Sequence, residues 1–97
     1  MSLRDKYDFA NLANQAEDLV FDELERQLNK RGATICSCEE CVLDMAAHAL
    51  NNVKPVYRVS LLGRLYAQSL AQTDYENTVI KAVSEAVKLV SANPTHE

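Results

Sequence analysis

The feature that most constrains this chain is a run of three cysteines within six residues, Cys36, Cys38 and Cys41, in the pattern C-x-C-x-x-C. They are all the cysteines the chain has, and they lead into a short helical pattern of Val42, Met45, Ala46, Ala49 and Leu50. Asn51-Asn52 marks a stop, and Pro55 forbids continuation because it disfavours helical geometry at Lys54. A turn that opens a helix can aim three thiolates at one point, and thiolates are preferred ligands of zinc. The helix N-terminus also stabilises thiolate charge, which eases metal binding. Cys36, Cys38 and Cys41 are therefore candidate ligands of a structural zinc ion.

A closed zinc site needs a fourth ligand. Asp44 lies one turn beyond Cys41, whereas His48 is roughly 10 Å along the helix and out of reach unless the helix breaks. His96 from the tail, a residue of a second copy, or an exchangeable water are the other sources. Two further readings of the cluster stay open: packed thiols without metal, and a redox or catalytic cysteine. A nucleophilic thiolate needs a base and an orienting partner. His48, on an alanine-rich helix, is the sole nearby candidate, so no enzymatic activity is expected.

The rest of the chain reads as helix. Two glycines and two prolines in 97 residues are too few for many short strands joined by tight turns. Residues 9–31 place Leu12, Ala16, Leu19, Val20, Leu24 and Leu28 on one stripe, with acids early and Arg26, Lys30 and Arg31 late. Gly32 is positioned to end that helix in a left-handed conformation. Phe9 and Phe21 extend the stripe or meet a second subunit. A second helix is expected over about residues 37–51, capped by Ser37 or beginning at Cys38, with Glu39 and Glu40 in its first turn. Ala46, Ala47 and Ala49 would let another helix approach closely. Residues 56–70 favour helix, with Ser60 as a cap, although Gly63 weakens the pattern by roughly 1 kcal/mol relative to alanine. The last helix opens on a capping box, Thr73 with Glu76, carries Tyr75, Val79, Val83, Ala86, Val87 and Val90, and ends at Asn93-Pro94. The expectation is an all-α, four-helix single domain over residues 1–97, with its core at about 9–93, acting as a homodimer. The long first helix and the alanine-bearing motif helix are the expected interface surfaces.

Formal net charge is -4, which argues against a binder of long nucleic acid. Between Asp44 and Asp74 there is no acid, yet Lys54, Arg58 and Arg64 fall there, so this segment carries +3 while the remainder carries -7. Such a locally basic stretch suits a small anionic ligand, although three basic residues on a solvated surface need no ligand at all. No apolar run approaches the ~18 to 20 residues that span a bilayer, and MSLRDKYDF lacks the hydrophobic core of a signal peptide. A cytoplasmic protein with reduced cysteines is expected, and the odd cysteine count agrees.

Together these motifs bring a family into view. The cysteine turn followed by Asp44, then Ala49-Leu50-Asn51, then Pro55-x-Tyr57, resembles the ComFB family of late-competence proteins. The likeness covers about residues 12–94, with motif-grade identity over residues 36–57. It implies small zinc-binding dimers without known enzymatic activity, and, through similar domains that lack the cysteines, receptors for cyclic dinucleotides, mainly cyclic di-GMP. The family's ligand residues do not map one by one. Chemistry nominates Lys54, Arg58 and Arg64 for phosphates or guanine edges, and Tyr57 or Tyr66 for stacking on a base. Asn51 is expected to cap its helix, Tyr57 to pack beneath it with a bonded hydroxyl, and Asp44 to bond the third segment or pair with Arg58 or Arg64. The leading expectation is a cyclic di-GMP-binding regulatory module with a structural zinc site. The alternative is a zinc-stabilised adaptor for a protein partner.

Overall fold

Three helical stripes meet to make the core of the computed structural model, which describes residues 2–59, 62, 65, 69 and 74–93. A one-turn helix at Leu3–Lys6 (α1) precedes the long helix Gln15–Arg31 (α2), followed by Glu39–Leu50 (α3) and Asp74–Ala92 (α4). Val20 and Leu24 of α2, Cys41, Met45, Ala46 and Ala49 of α3, and Val79, Ala82, Val83, Ala86, Val87 and Val90 of α4 form one buried cluster. The most extensive packing is between α3 and α4. Alanines on both facing stripes let these two backbones approach closely. Val20, Val83 and Val87 are wholly buried, and each such side chain contributes about 1.5–3 kcal/mol by leaving water.

The long first helix starts later than its apolar pattern implies. Phe9–Asn11 is a 3-10 turn, and Ala13–Asn14 (β1) pairs antiparallel with Tyr57–Arg58 (β2), Ala13 opposite Arg58 and Asn14 opposite Tyr57. The all-α expectation therefore holds for the bulk of the fold and fails at this short ladder. Asn14 is the reason. Its side-chain oxygen accepts the backbone N–H of Ala16 at 3.1 Å, capping α2, and the N–H of Val56 at 2.7 Å. The N–H of Gln15 in turn donates to the Val56 carbonyl at 2.7 Å. One asparagine thus ends the extended entry, starts the helix and pins the segment after Pro55. Leu12, expected on the buried stripe, is left outside the helix and exposed.

Residues 56–70 were expected to be helical, but Tyr57 and Arg58 form a strand paired with β1, and the Val56 backbone is bonded to Asn14 and Gln15 instead. Leu62, Leu65 and Ser69 are helical. The expected features at Ser60, Gly63, Thr73 and Pro94 lie outside the described residues.

Helix ends show where local rules were and were not sufficient. Gly32 terminates α2 with φ 60° and ψ -135°, a positive-φ region that is not the left-handed helical one, and its N–H reaches the Leu28 carbonyl. Asn51 keeps right-handed helical angles rather than the left-handed conformation expected of it. Asn51 is nevertheless the C-cap, its N–H on the Ala47 carbonyl at 3.0 Å, and Asn52 adds two bonds: its amide donates to the His48 carbonyl at 2.9 Å and its backbone N–H to the Ala49 carbonyl at 3.0 Å. On α2, Leu28 packs against the core as expected, and Gln27 beside it is buried. Its amide donates to the Ile80 carbonyl of α4 at 3.2 Å and to Glu23 at 2.7 Å. Glu23 also takes two hydrogen bonds from Arg26, at 3.0 and 2.6 Å, which hold its carboxyl below the ordinary range against the opposing effect of burial.

Removing the Asn14 acceptor strips a helix cap and leaves the Val56 N–H without its partner. Asn14→Ala is expected to lower the free energy of unfolding by about 2 kcal/mol. Asn14→Asp, which keeps the acceptor, should restore most of it. Urea denaturation of the two variants measures this, and an unchanged midpoint for Asn14→Ala would remove Asn14 from its place in the fold.

Candidate metal centre

The cysteine turn is built from its flanks. After Gly32, a 3-10 turn over Gly32–Thr34 is closed by the Thr34 hydroxyl on the Arg31 carbonyl at 2.8 Å. Ile35 is extended and packs against the core, as do Cys36 and Cys38. Cys38, rather than Ser37, is the N-cap of α3, with φ -69° and ψ 163°. Its sulfur takes the capping position and accepts the backbone N–H of Cys41 at 3.5 Å. Sulfur here does the work that a serine oxygen does at an ordinary cap.

Cys38 is the hub of the cluster. The N–H of Cys41 holds its thiol below the ordinary cysteine range, against some burial, with further help from the Cys36 and Cys41 thiols and the N–H of Glu40. The three sulfurs all lie within 4.8 Å of one another. Cys41 is buried, with Cys36 and Cys38 half-buried, and none is in a disulfide.

This arrangement fits a thiolate-preferring metal ion. Zinc–sulfur bonds of about 2.3 Å in tetrahedral geometry set sulfurs about 3.8 Å apart, a spacing compatible with three sulfurs that lie within 4.8 Å of one another. Cys36, Cys38 and Cys41 would hold it, and the ion would cross-link the entry of α3 to the end of the α2–α3 connection. Among the described residues no carboxylate or imidazole joins the three sulfurs. Asp44 is half-buried on α3 and makes no ion pair with Arg58, the described ion pair being Arg26 with Glu23. His96 lies outside the described residues.

The residues nominated for an anionic ligand gather elsewhere. The helix α3 is 12 residues long, so about 18 Å separates the cysteine turn at its start from the segment after its end. Lys54, Tyr57 and Arg58 lie on that segment. The Lys54 carbonyl accepts the Tyr75 hydroxyl from α4. Arg58 donates through Nε to the Gln15 side chain at 2.6 Å. Tyr57, expected to pack beneath α3, is instead 63% exposed, because β2 turns its ring outward. Its structural part is taken by Tyr75, whose half-buried ring packs on the core and whose hydroxyl is pushed up in pKa by burial. Arg64 and Tyr66 lie outside the described residues.

A third feature adjoins the cysteine turn. Phe21, Leu24 and Leu28 of α2 and Val42, Leu43 and Ala46 of α3 line an open groove of about 660 Å³ that reaches Gly32 and Ser37. Phe21 and Leu43 are 46% and 62% exposed on its margins. These are the faces from which an interface was expected.

Comparison with known proteins gives the family and the fold. Residues 13–94 match the family model "Late competence development protein ComFB". The chain belongs to the ComFB family. The solved structure of the late competence protein ComFB from Bacillus subtilis shares the fold, with a TM-score of 0.72 and 24% identity, over 87% of this chain and 92% of that one. No curated protein sequence matches significantly. Among the described residues of this ComFB-family chain, no helix is long and apolar enough to cross a membrane.

Replacing the hub sulfur tests the centre. Wild-type protein is expected to take up one zinc ion per chain, and Cys38→Ser to lose most of that uptake together with melting temperature. Metal analysis alongside thermal unfolding reads both. A wild type that takes up no metal, with Cys38→Ser melting at the wild-type temperature, would dismiss the site.

Proposed function

We propose that this ComFB-family chain is a non-enzymatic regulatory binding module, dimeric, stabilised by a structural zinc ion, whose ligand is a cyclic dinucleotide, cyclic di-GMP. The observation that carries the metal half is the three-sulfur cluster around the Cys38 cap. A domain of this size gains much from such a staple.

The ligand half draws support from the segment after Pro55. It lies within the acid-free stretch, and the open ring of Tyr57 is available to stack on a base. Arg58 uses Nε on Gln15, which leaves its terminal guanidinium nitrogens for a phosphate or a guanine edge. Lys54 adds a second cation four residues earlier. The family likeness points to the same ligand class, and a two-fold symmetric nucleotide suits a dimer that offers each group twice.

A second reading, an adaptor for a protein partner that uses zinc only to fold, is favoured by the apolar groove with its exposed Phe21 and Leu43. Exposed apolar surface of this kind marks interaction sites.

Calorimetric titration of metal-quantified protein separates the two. The ligand reading predicts selective binding of cyclic di-GMP over cyclic di-AMP and GTP, weakened at least tenfold by Arg58→Ala in protein shown to remain folded. No heat at tens of micromolar from a folded, zinc-loaded protein would end that reading, and a stoichiometric protein partner captured with or without nucleotide would establish the adaptor.

A further inference from the structure

The three thiols do not stand in equivalent places. Cys38 sits at the N-cap, half-buried, with the Cys41 N–H directed at its sulfur at 3.5 Å. Cys41 follows three residues later, inside the first turn, and is 1% exposed. A C-x-x-C pair at a helix start, with an accessible first sulfur and a sheltered second one within 4.8 Å, has the layout of a thiol–disulfide couple. We propose that Cys38 and Cys41 are a peroxide-oxidisable pair that forms a reversible disulfide, making the cysteine turn an oxidation site as well as a metal centre.

The chemistry balances with hydrogen peroxide as the oxidant. The Cys38 thiolate attacks one peroxide oxygen, the O–O bond breaks, hydroxide leaves, and Cys38 becomes a sulfenic acid. The Cys41 thiol then attacks the sulfenic sulfur. The S–S bond forms, and the sulfenic oxygen leaves as water with the Cys41 proton. Two thiols are oxidised, and one peroxide is reduced to two waters after hydroxide takes up a proton.

Geometry favours this pair for the second step. The Cys38 and Cys41 sulfurs already lie within 4.8 Å of one another, three residues apart at the start of α3, and a disulfide brings them to about 2 Å. Burial of Cys41 keeps peroxide from it, so Cys41 persists as the resolving thiol while Cys38 reacts. Cys36 has no such shelter and lies outside the helix turn.

The disulfide and the metal exclude one another, because thiolates are the metal ligands and the bond consumes two of the three. Peroxide is therefore expected to release the ion as the bond forms. The couple does not require the metal, so metal-free protein should oxidise as well, and the proposal stands or falls separately from the zinc reading.

Treatment of wild-type protein, metal-free and zinc-loaded, with a small excess of hydrogen peroxide tests this. The readouts are thiol titration after unfolding, differential alkylation with peptide mass spectrometry, and a chromophoric chelator. The expected result is a fall from three titratable thiols to one per chain, a Cys38–Cys41 cross-linked peptide, zinc release in step, and full recovery with dithiothreitol. Cys36→Ser should still form the bond, and Cys41→Ser should stop at oxidised Cys38. Because these variants can lose stability, the wild-type peptide map decides. Three thiols surviving peroxide, a bond through Cys36, or irreversible over-oxidation of Cys38 would each overturn the proposal.

Discussion

Cys41 belongs to two structures at once. Its side chain is 1% exposed and packs with Met45, Val83 and their neighbours in the core, yet its sulfur completes the cluster at the entry of α3. The rest depends on that double membership. The packing of α3 against α4 fixes where Cys41 is. The Cys41 N–H then fixes the Cys38 sulfur, and the 3-10 turn after Gly32 brings Cys36 to the same point. Any ion held there is bonded to a core residue, so its binding free energy becomes folding free energy. Disturbing the core should loosen the metal, and removing the metal should loosen the connection between α2 and α3.

The geometry also separates tasks along one helix. The start of α3 carries the cysteine cluster. Its end feeds the extended segment on which Lys54, Tyr57 and Arg58 sit, held by Asn14 and Gln15 on one side and by the Tyr75 hydroxyl on the other. Between the two ends, the outer side of α3 and the neighbouring stripe of α2 form the apolar groove. A rigid helix anchored in the core can position all three without placing them in contact. A chain lacking the cysteines could therefore keep the far segment intact, because among the described residues none of its hydrogen bonds passes through the turn.

Much of this was legible in the residues. The stripes of α2, α3 and α4 follow from apolar spacing, because core contact and helical period impose the same pattern. The cysteine cluster follows from C-x-C-x-x-C beside a helix start. What escaped was decided by tertiary hydrogen bonds that leave no periodic trace. Asn14 lies inside the run 9–31 that the apolar spacing marks as one helix. Its bond to Val56, 42 residues away, made strands of Ala13–Asn14 and Tyr57–Arg58. Gln27 has no place in the apolar pattern, and the Ile80 carbonyl and Glu23 carboxylate that receive its amide make its burial favourable. Tyr75 packs against the core as its place on the apolar stripe implied, but Tyr57 does not pack beneath α3, since the ladder register that turns it outward depends on a strand that local pattern did not reveal. At Cys38, cap preference pointed to the hydroxyl of Ser37, and the neighbouring sulfur took the position instead.

The central claim is that Cys36, Cys38 and Cys41 act together as ligands to one ion. X-ray absorption spectroscopy at the zinc edge of purified, zinc-loaded protein tests it most directly. The account predicts three sulfur scatterers at about 2.3 Å with one lighter nitrogen or oxygen neighbour. A shell of nitrogen and oxygen alone, or zinc that leaves all three thiols open to alkylation, would contradict it.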